Sequence, residues 1–482
     1  MDALTLKDLA AMCAATIVGD AASRRKDHKL IVERVVIDSR EAGPGDLFVA
    51  LAGDRFDGHA FAKDVLAAGA VAVISEQDLP GLRPVLRVDD TVVALGLLGA
   101  AMRRRAATEG RLPLVVGVTG TNGKTGTKDL IVAALSSSLQ TVGSQSSYNN
   151  AIGVPLTLLN INNHTEAVVA ELGTNSPGEI AHLTSLVEPE IGVVTNIHPG
   201  HLEGLCNLAG VRAEKGALLT GLTGRSLSVL NRDDGSFGSL SALAPGEVIS
   251  FGTCAEADFR ATEIMPTLHN TRFRLNGEHD VVLRHLGRHA VLNALAALAC
   301  SEMAGLPLAD TIAALAQVPP PPGRLQFRRS GQLTILDDSY NANPGSVAAA
   351  AALISELGHE GRRVFVIGDM LELGVVSPEL HEAAGRSLAQ AFPQLIVAVG
   401  RYAEHVVRGA VEVGLPRSSC HVCATKADAE AVLAGLLDPG DLVLVKASRG
   451  MGLDALVTRL SSCTDGATCD AGADSDDAVA MA

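Results

Sequence analysis

From about residue 109 onward the chain alternates short apolar runs with longer segments whose apolar residues recur every three or four positions. Strands covered on both faces by helices give that pattern, as in a parallel α/β sheet. "LPLVVGV", "EAVVAEL", "EIGVVTNI" and "SLSVLN" predict such strands, and "KTGTKDLIVAALSSSL" predicts a helix with Leu130, Leu135 and Leu139 near one face. "AVLNALAALACSEMAG" predicts an Ala/Leu helix stopped by Gly305. Residues 1–108 are more mixed. There "LIVERVVIDS" predicts a strand, and "GHAFAKDVLAAGAVAVIS" a helix, a glycine stop and a further strand.

Two breaks divide the pattern. "RRRAATEGRLP" (103–113) is charged and ends in proline, as the end of a helix followed by a linker would. "VPPPPGR" (Val318 to Arg324) is sharper, because four prolines fit neither a helix interior nor a central strand. After it "LTILDDS", "RVFVIGD", "LIVAVG" and "DLVLVKAS" predict a second doubly wound α/β unit. From Ser461 the chain is small, polar and acidic, and a disordered tail (461–482) is expected.

Composition narrows the class. Hydrophobic residues form 47% of the 482 positions, ample for more than one core, but aromatics are 3% and Trp is absent, so the cores must rest on Ala, Val and Leu. No apolar run reaches the ~18 residues that span a bilayer. The N-terminus lacks a basic-then-apolar signal, so no membrane insertion and a cytoplasmic location are expected. The net charge of −15 includes Asp465, Asp470, Asp474, Asp476 and Asp477 of the tail; the mildly acidic remainder argues against nucleic-acid partners. Eight scattered cysteines read as reduced thiols, and Cys420-x2-Cys423 is half of a zinc signature that no second pair completes.

The chemistry starts at "LVVGVTGTNGKTGTKDL" (Leu114 to Leu130), a strand, a glycine-rich turn and a helix start. Unpaired backbone N–H groups and the helix dipole favour phosphate there. Gly120, Thr121, Asn122, Gly123, Lys124 and Thr125 form the loop, with Lys124 suited to the β/γ-phosphates and Thr125 to Mg²⁺. The spacing departs from the common P-loop, which wants glycine where Val118 stands, and a chance glycine-rich turn is the bland alternative. Glu171 ends an apolar strand where an acidic residue would face a nucleotide metal; its alternative is an exposed loop carboxylate. His198 and His201, in "TNIHPGHLEG", are metal ligands or hydrogen-bond partners if not simply exposed. Lys215, taken alone, is an ordinary helix lysine. Asn231-Arg232-Asp233-Asp234 loosely mimics a guanine-recognition element, but such a turn after a strand is common. Asn293 lies near a helix start; Arg324, Asp337 and Asp338 lie at a domain junction, able to clamp phosphate and ribose. Lys446, Ser448 and Arg449, after the last strand, read as free to bind a carboxylate.

Together these stretches resemble the Mur ligase family of peptidoglycan synthesis, and within it the MurF type, over residues 30–460. "DSREAGPGDLFVAL", "GTNGKT", "SYNNAIGVPLTLL", "DDSYNANP", "GDMLELG" and "KASRGM" carry the likeness. The resemblance implies an α/β protein of three domains: a smaller N-terminal UDP-sugar-binding domain (1–108), a central P-loop-type parallel-sheet ATPase domain (109–320) and a C-terminal Rossmann-like domain (321–460). It implies ATP-dependent joining of D-alanyl-D-alanine to UDP-N-acetylmuramoyl-tripeptide through an acyl phosphate, by a monomer. The alternatives are the sister ligase adding the third amino acid, a folylpolyglutamate synthase-like ligase and, outside enzymes, a nucleotide switch. It implies Ser39 and Arg40 near the uridine nucleotide, Lys124 on the phosphates, and Thr125, Glu171 and His201 around magnesium. Lys215 matches a family lysine that is carbamylated. Asn293, Arg324 and Asp338 match positions that hold ATP across the domain cleft, Asn149 and Asn150 the wall around the muramyl peptide, and Lys446 and Ser448 contacts to the dipeptide carboxylate. The chain departs from the family at Ala290 (usually Asn), at Gly200 (usually Ala), at "LCNLAG", and around Lys215, whose acidic neighbour Glu214 precedes it.

Overall fold

The computed structural model describes residues 1–53, 56–112 and 114–462. The fold is α/β, as expected, built on three main sheets. The described chain forms two compact units: one of residues 1–264, 272–283 and 289–318, the other of residues 265–271, 284–288 and 319–462. The break at Val318 falls where the prolines begin.

The first unit is organised by a nine-stranded sheet. Its order from one edge is Thr141–Gly143, Ala167–Glu171, Leu114–Thr119, Ile191–Val194, Leu227–Asn231, Glu247–Gly252, Phe259–Pro266, Thr271–Leu275 and His279–Leu283. The strands from Thr141–Gly143 to Phe259–Pro266 pair in parallel. Because side chains alternate along a strand, Val116, Val118 and Val169 enter one core with Leu130, Ile131 and Leu295, while Val115, Val168 and Ala170 enter the opposite core with Leu158, Leu183 and Leu218. Both faces are thus dry, and strand ends and loops are left for chemistry. The last four strands were not anticipated: "FRATEIMP" alternates buried and partly exposed positions, the signature of a sheet end with one wet face.

The N-terminal portion has its own five-stranded sheet, ordered Thr16–Ile17, Val85–Arg87, Ala72–Ser75, Asp46–Val49 and Arg34–Val36. "LIVERVVIDS" is two strands: Ile31–Val32 pairs with Leu4–Thr5, and Arg34–Val36 joins the five-stranded sheet. The chain turns at Glu33, whose N–H bonds the Gly45 carbonyl at 2.8 Å. Residues 1–108 and 109–320 also share a core. Helix Thr91–Thr108 packs on helix Gly153–Leu159, and Leu159 belongs to the N-terminal cluster. Arg103, expected in a charged linker, is buried and bonds the Val187 carbonyl at 3.0 Å and Glu190 at 2.8 Å.

The second unit carries a six-stranded sheet, in the order Gln326–Ser330, Leu333–Asp338, Leu442–Lys446, Arg363–Gly368, Leu395–Val399, Cys420–Cys423, parallel except for the first strand. Cys420 and Cys423 lie three apart on a strand, so one points into each core of this sheet and they cannot share a metal. Ser461 and Ser462, assigned to the tail, instead close helix Asp454–Ser462, because the apolar Leu456 and Val457 anchor that helix; the rest of the expected disordered tail lies outside the described residues.

Two glycines of helix Thr91–Thr108 test this packing. A Cβ on Gly99 would stand 2.8 Å from Pro155 Cα, whereas one on Gly96 would make ordinary contact with Leu186 at 3.5 Å. Alanine usually stabilises a helix interior by about 0.5–1 kcal/mol relative to glycine. Gly96→Ala is therefore expected to be neutral or stabilising, and Gly99→Ala to lose about 1–3 kcal/mol as backbones are forced apart. Urea unfolding of the two variants measures the difference.

Candidate active site

Strand Leu114–Thr119 ends in a turn that only glycine can make. Gly120 has φ 146°, and a Cβ there would lie 1.9 Å from the Thr195 hydroxyl; Gly123 has φ 81°, and a Cβ there would lie 2.6 Å from Asn293 Oδ1. The loop is fixed by the segment after the neighbouring strand Ile191–Val194. Thr121 N–H donates to the Asn196 carbonyl (2.9 Å) and Asn122 N–H to Asn196 Oδ1 (2.9 Å). The Thr195 hydroxyl (2.6 Å) and the Asn196 amide (3.0 Å) donate to the Asn122 carbonyl. Helix Lys124–Ser136 starts at Gly123 with no side-chain cap, which leaves its N-terminus open to an anion. Lys124 Nζ folds onto the loop, donating to the Gly120 (3.0 Å) and Thr121 (3.2 Å) carbonyls, and the Thr125 side chain is buried in the first turn. Asn293, on helix Arg288–Met303, stands against Gly123 and Gly126, so these residues are brought together. Thr195 and Asn196 were not anticipated as loop supports; their signal was polar residues directly after an apolar strand.

Glu171 is 1% exposed. Its Oε1 accepts from Asn149 Nδ2 at 2.8 Å, while Oε2 has no hydrogen-bond partner among the described residues. An orphaned carboxylate oxygen at the strand end beside a phosphate-type loop suits a hard cation. Among the described residues no group of three or more His, Cys, Asp or Glu could hold a metal by itself. Magnesium bound with a nucleotide needs only one or two protein carboxylates beside phosphate oxygens and water, so the residues fit that ion. His201 is half-buried at φ 53°, a left-handed conformation that costs a non-glycine residue about 1 kcal/mol or more. His198 is exposed; its backbone, not its ring, meets the Thr121 hydroxyl. Gly200 is explained by the same contact, since a Cβ there would stand 2.9 Å from Thr121 Cγ2.

Lys215 is not an ordinary helix lysine. It is 1% exposed, and Nζ has no hydrogen-bond partner among the described residues. Burial holds its amine well below the usual lysine range, the charge of Lys124 pushes the same way, and Glu214 opposes both. Glu214 is engaged elsewhere. Its carboxylate accepts from Gly178 N–H (2.7 Å), Ile180 N–H (2.8 Å) and the Thr174 hydroxyl (3.2 Å), clamping the loop that follows Glu171.

Several expected ligand residues are already bonded within the fold. Asn150 Oδ1 accepts from Ile152 N–H (3.1 Å) and Gly153 N–H (2.9 Å), and Asn149 is the partner of Glu171. Asn231, Asp233 and Asp234 are turn residues: Asn231 bonds the Thr195 carbonyl (3.0 Å), Asp233 takes Thr253 and Cys254 N–H, and Asp234 takes Ile197 N–H (2.7 Å). In the turn after strand Arg34–Val36, half-buried Ser39 lies between exposed Arg40 and Asp38, and the pairing with Arg40 holds the Asp38 carboxyl down at about 2.

Within the second unit the expectation that Lys446 and Ser448 are free is wrong. Lys446 is 2% exposed and donates to Asp338 Oδ2 (2.6 Å) and the Asn341 carbonyl (3.0 Å). The Ser448 hydroxyl donates to the Ala342 carbonyl and accepts from Leu371 N–H. Both are buried ties between strand-end loops, because a charge removed from water needs a partner inside. Burial raises the Asp338 carboxyl, and Lys446 and then Arg324 lower it. Arg324 lies over the Tyr340 ring at 4.4 Å, and Asp337 pairs with Arg328 at 2.9 Å. Arg449 stays exposed, its guanidinium 5.6 Å from the same ring.

Three family models match the chain: a Mur ligase family catalytic domain over residues 31–102, a Mur ligase middle domain over 118–301, and a Mur ligase glutamate ligase domain over 323–449. The chain is 39% identical over 391 residues to the UDP-N-acetylmuramoyl-tripeptide–D-alanyl-D-alanine ligase of Escherichia coli K12, covering 80% of this chain and 85% of that one. It is similar to a crystal structure of MurF from Acinetobacter baumannii (TM-score 0.87, 32% identity, 96% of this chain and 100% of that one). It is also similar to a MurF ligase of Thermotoga maritima in complex with ADP (TM-score 0.77, 27% identity, 89% and 97%).

The state of Lys215 is testable through stability. Where the unfolded chain binds a proton and the folded chain does not, stability rises with pH, and this window runs from the depressed folded value up to 10.5. Lys215→Met removes the unpartnered group and is expected to stabilise the protein by about 1–3 kcal/mol near neutral pH. The gain shrinks as pH rises toward 10.5. Urea unfolding at several pH values in CO₂-free buffer measures it; a gain that grows with pH contradicts the reading.

Proposed function

We propose, because the chain belongs to the Mur ligase family, that it is an ATP-dependent ligase joining D-alanyl-D-alanine to UDP-N-acetylmuramoyl-tripeptide in peptidoglycan precursor synthesis. The observation that carries the site assignment is the convergence of an uncapped helix start, Lys124, an orphaned Glu171 oxygen and a buried amine at Lys215.

A carboxylate is a poor acylating agent, because it is anionic and would have to expel oxide. Attack of a tripeptide carboxylate oxygen on the γ-phosphorus of ATP expels ADP and leaves an acyl phosphate. The neutral amine of the dipeptide then adds to the acyl carbon, phosphate leaves, and the nitrogen gives up a proton. The protein's part is positioning and charge neutralisation. The uncapped helix start receives phosphate oxygens, and Lys124 leaves its loop carbonyls to offset the charge of the γ-phosphate and the approaching carboxylate. Thr125, Glu171 and His201 would hold magnesium, which when bound supplies further positive charge to the phosphates.

Lys215 completes this reading. A buried neutral amine adds to CO₂, losing one proton and forming a carbamate. The product is an anionic oxygen ligand, which the Lys124 charge favours where it disfavours an ammonium. Asn293 serves the nucleotide from its place against Gly123, and Ser39 and Arg40 serve the uridine end. With ATP and a UDP-linked precursor as substrates, the enzyme acts in the cytoplasm, as a monomer. No helix among the described residues is long and apolar enough to cross a membrane.

Incubation with ATP, magnesium, UDP-muramyl-tripeptides and D-alanyl-D-alanine is expected to yield the pentapeptide by mass, with phosphate release requiring both acceptor and amine. A nucleotide switch would instead hydrolyse ATP alone. Lys124→Ala is expected to lower turnover at least about 100-fold while UDP-substrate binding persists; surviving turnover removes the loop assignment. With ¹³C-bicarbonate, a carbamate carbon is expected in the wild type and not in Lys215→Met.

A further inference from the structure

Lys128 lies one turn beyond Lys124 on helix Lys124–Ser136 and is 3% exposed. A buried ammonium is costly unless its hydrogens are spent. Its Nζ donates to the Ser144 carbonyl at 2.8 Å and contacts the Asp129 carboxylate. Ser144 opens the loop that leaves strand Thr141–Gly143, and this loop holds Glu171 twice. Glu171 N–H donates to Ser144 Oγ at 3.1 Å, and five residues further on Asn149 Nδ2 donates to Glu171 Oε1 at 2.8 Å. The loop is also tied at its ends, by Ser144 N–H to the Val169 carbonyl (3.1 Å) and by Gly173 N–H to the Asn149 carbonyl (2.8 Å). The phosphate-loop helix therefore reaches Glu171 through one buried cation and one short loop.

We propose that Lys128 is a positioning residue for the divalent cation: it fixes residues 144–149 and so aims the orphaned Glu171 Oε2 at the metal. This rests on the reading of Glu171 as a magnesium ligand. It separates two roles on one helix, with Lys124 at the phosphates and Lys128 acting only through Glu171. The consequence is selective: loss of Lys128 weakens the metal and leaves the metal-free nucleotide alone. A merely structural lysine would weaken both or neither.

The test uses Mn²⁺ as the probe, with free Mn²⁺ read by electron paramagnetic resonance in saturating ADP and ADP affinity in EDTA read by calorimetry. Lys128→Met and Ser144→Ala are each expected to weaken Mn²⁺ at least about tenfold, the usual cost of removing a group that orients a ligand. ADP affinity in EDTA stays unchanged, and Lys128→Arg restores most of the Mn²⁺ affinity. Unchanged Mn²⁺ affinity in either variant, or an equal fall in ADP affinity without metal, overturns the proposal. If Lys128→Met does not fold, Ser144→Ala, which cuts the tie to Glu171 N–H and leaves Lys128 in place, decides it alone. Glu171→Gln separates the two levels: if it binds Mn²⁺ as the wild type does, the ligand reading itself fails.

Discussion

The candidate active site depends on glycines whose backbone lies where a Cβ would strike neighbouring side chains. The turn after Leu114–Thr119 must lie against Thr195 and Asn196, and a methyl group on Gly120, Gly123 or Gly200 would intrude to within 3 Å of Thr195, Asn293 or Thr121. Removing side chains at these points lets Asn196 hold both Thr121 and Asn122 and leaves the helix start at Gly123 uncapped. The parallel sheet makes the approach possible, because adjacent strands end level and their loops emerge together. Gly200 fits the same constraint: a Cβ there would stand 2.9 Å from Thr121 Cγ2 in a loop that is already crowded.

On that scaffold the electrostatics are arranged in opposition. Lys124 brings positive charge to the phosphate loop, and Lys215, buried nearby and with no hydrogen-bond partner for Nζ among the described residues, cannot readily hold a second. Two ammonium groups in so little water would repel, and burial together with the Lys124 charge holds the Lys215 amine well below the usual lysine range. Glu171 is prepared in the complementary sense, with one oxygen satisfied by Asn149 and the other without a hydrogen-bond partner among the described residues. Glu214, adjacent to Lys215 in sequence, is withdrawn from this balance by three hydrogen bonds to the loop of residues 174–180. Adjacency along a helix is not adjacency of function: residues i and i+1 point about 100° apart.

Much of this was legible in the sequence, and its limits have physical causes. The strand–loop–helix of Gly120 to Thr125 was readable because glycines at fixed positions and a Lys-Thr pair have few other uses. The apolar strands were readable because a sheet buried on both faces cannot tolerate polar interruption. Strand Leu227–Asn231 could be seen, but not that the polar turn after it braces the Ile197 backbone through Asp234. The strands from Glu247 to Leu283 went unseen because a half-wet sheet end has only weak period-two alternation. Lys215 looked ordinary because burial is not written in a helix's local pattern. The shared core of residues 1–108 and 109–320 was hidden for a related reason: Gly99 in "LGLLGAAM" looks like a flaw in a helix until Pro155 is seen against it.

The second unit shows what residue type alone leaves out. Lys446 and Ser448, at the end of the last strand, read as free to bind a carboxylate, and they are not free. Lys446 is instead the counter-ion of Asp338, whose carboxyl burial would otherwise force toward the neutral form. Removing one partner of a buried pair leaves an uncompensated charge and typically costs about 3–5 kcal/mol. Lost activity in a Lys446 variant would therefore report the collapse of the Asp338 loop before it reported a missing substrate contact. The same reasoning favours Arg449 over Lys446 as the group in this loop able to meet an external carboxylate. Arg449 is exposed and lies 5.6 Å from the Tyr340 ring, so it can turn outward without leaving a buried charge behind.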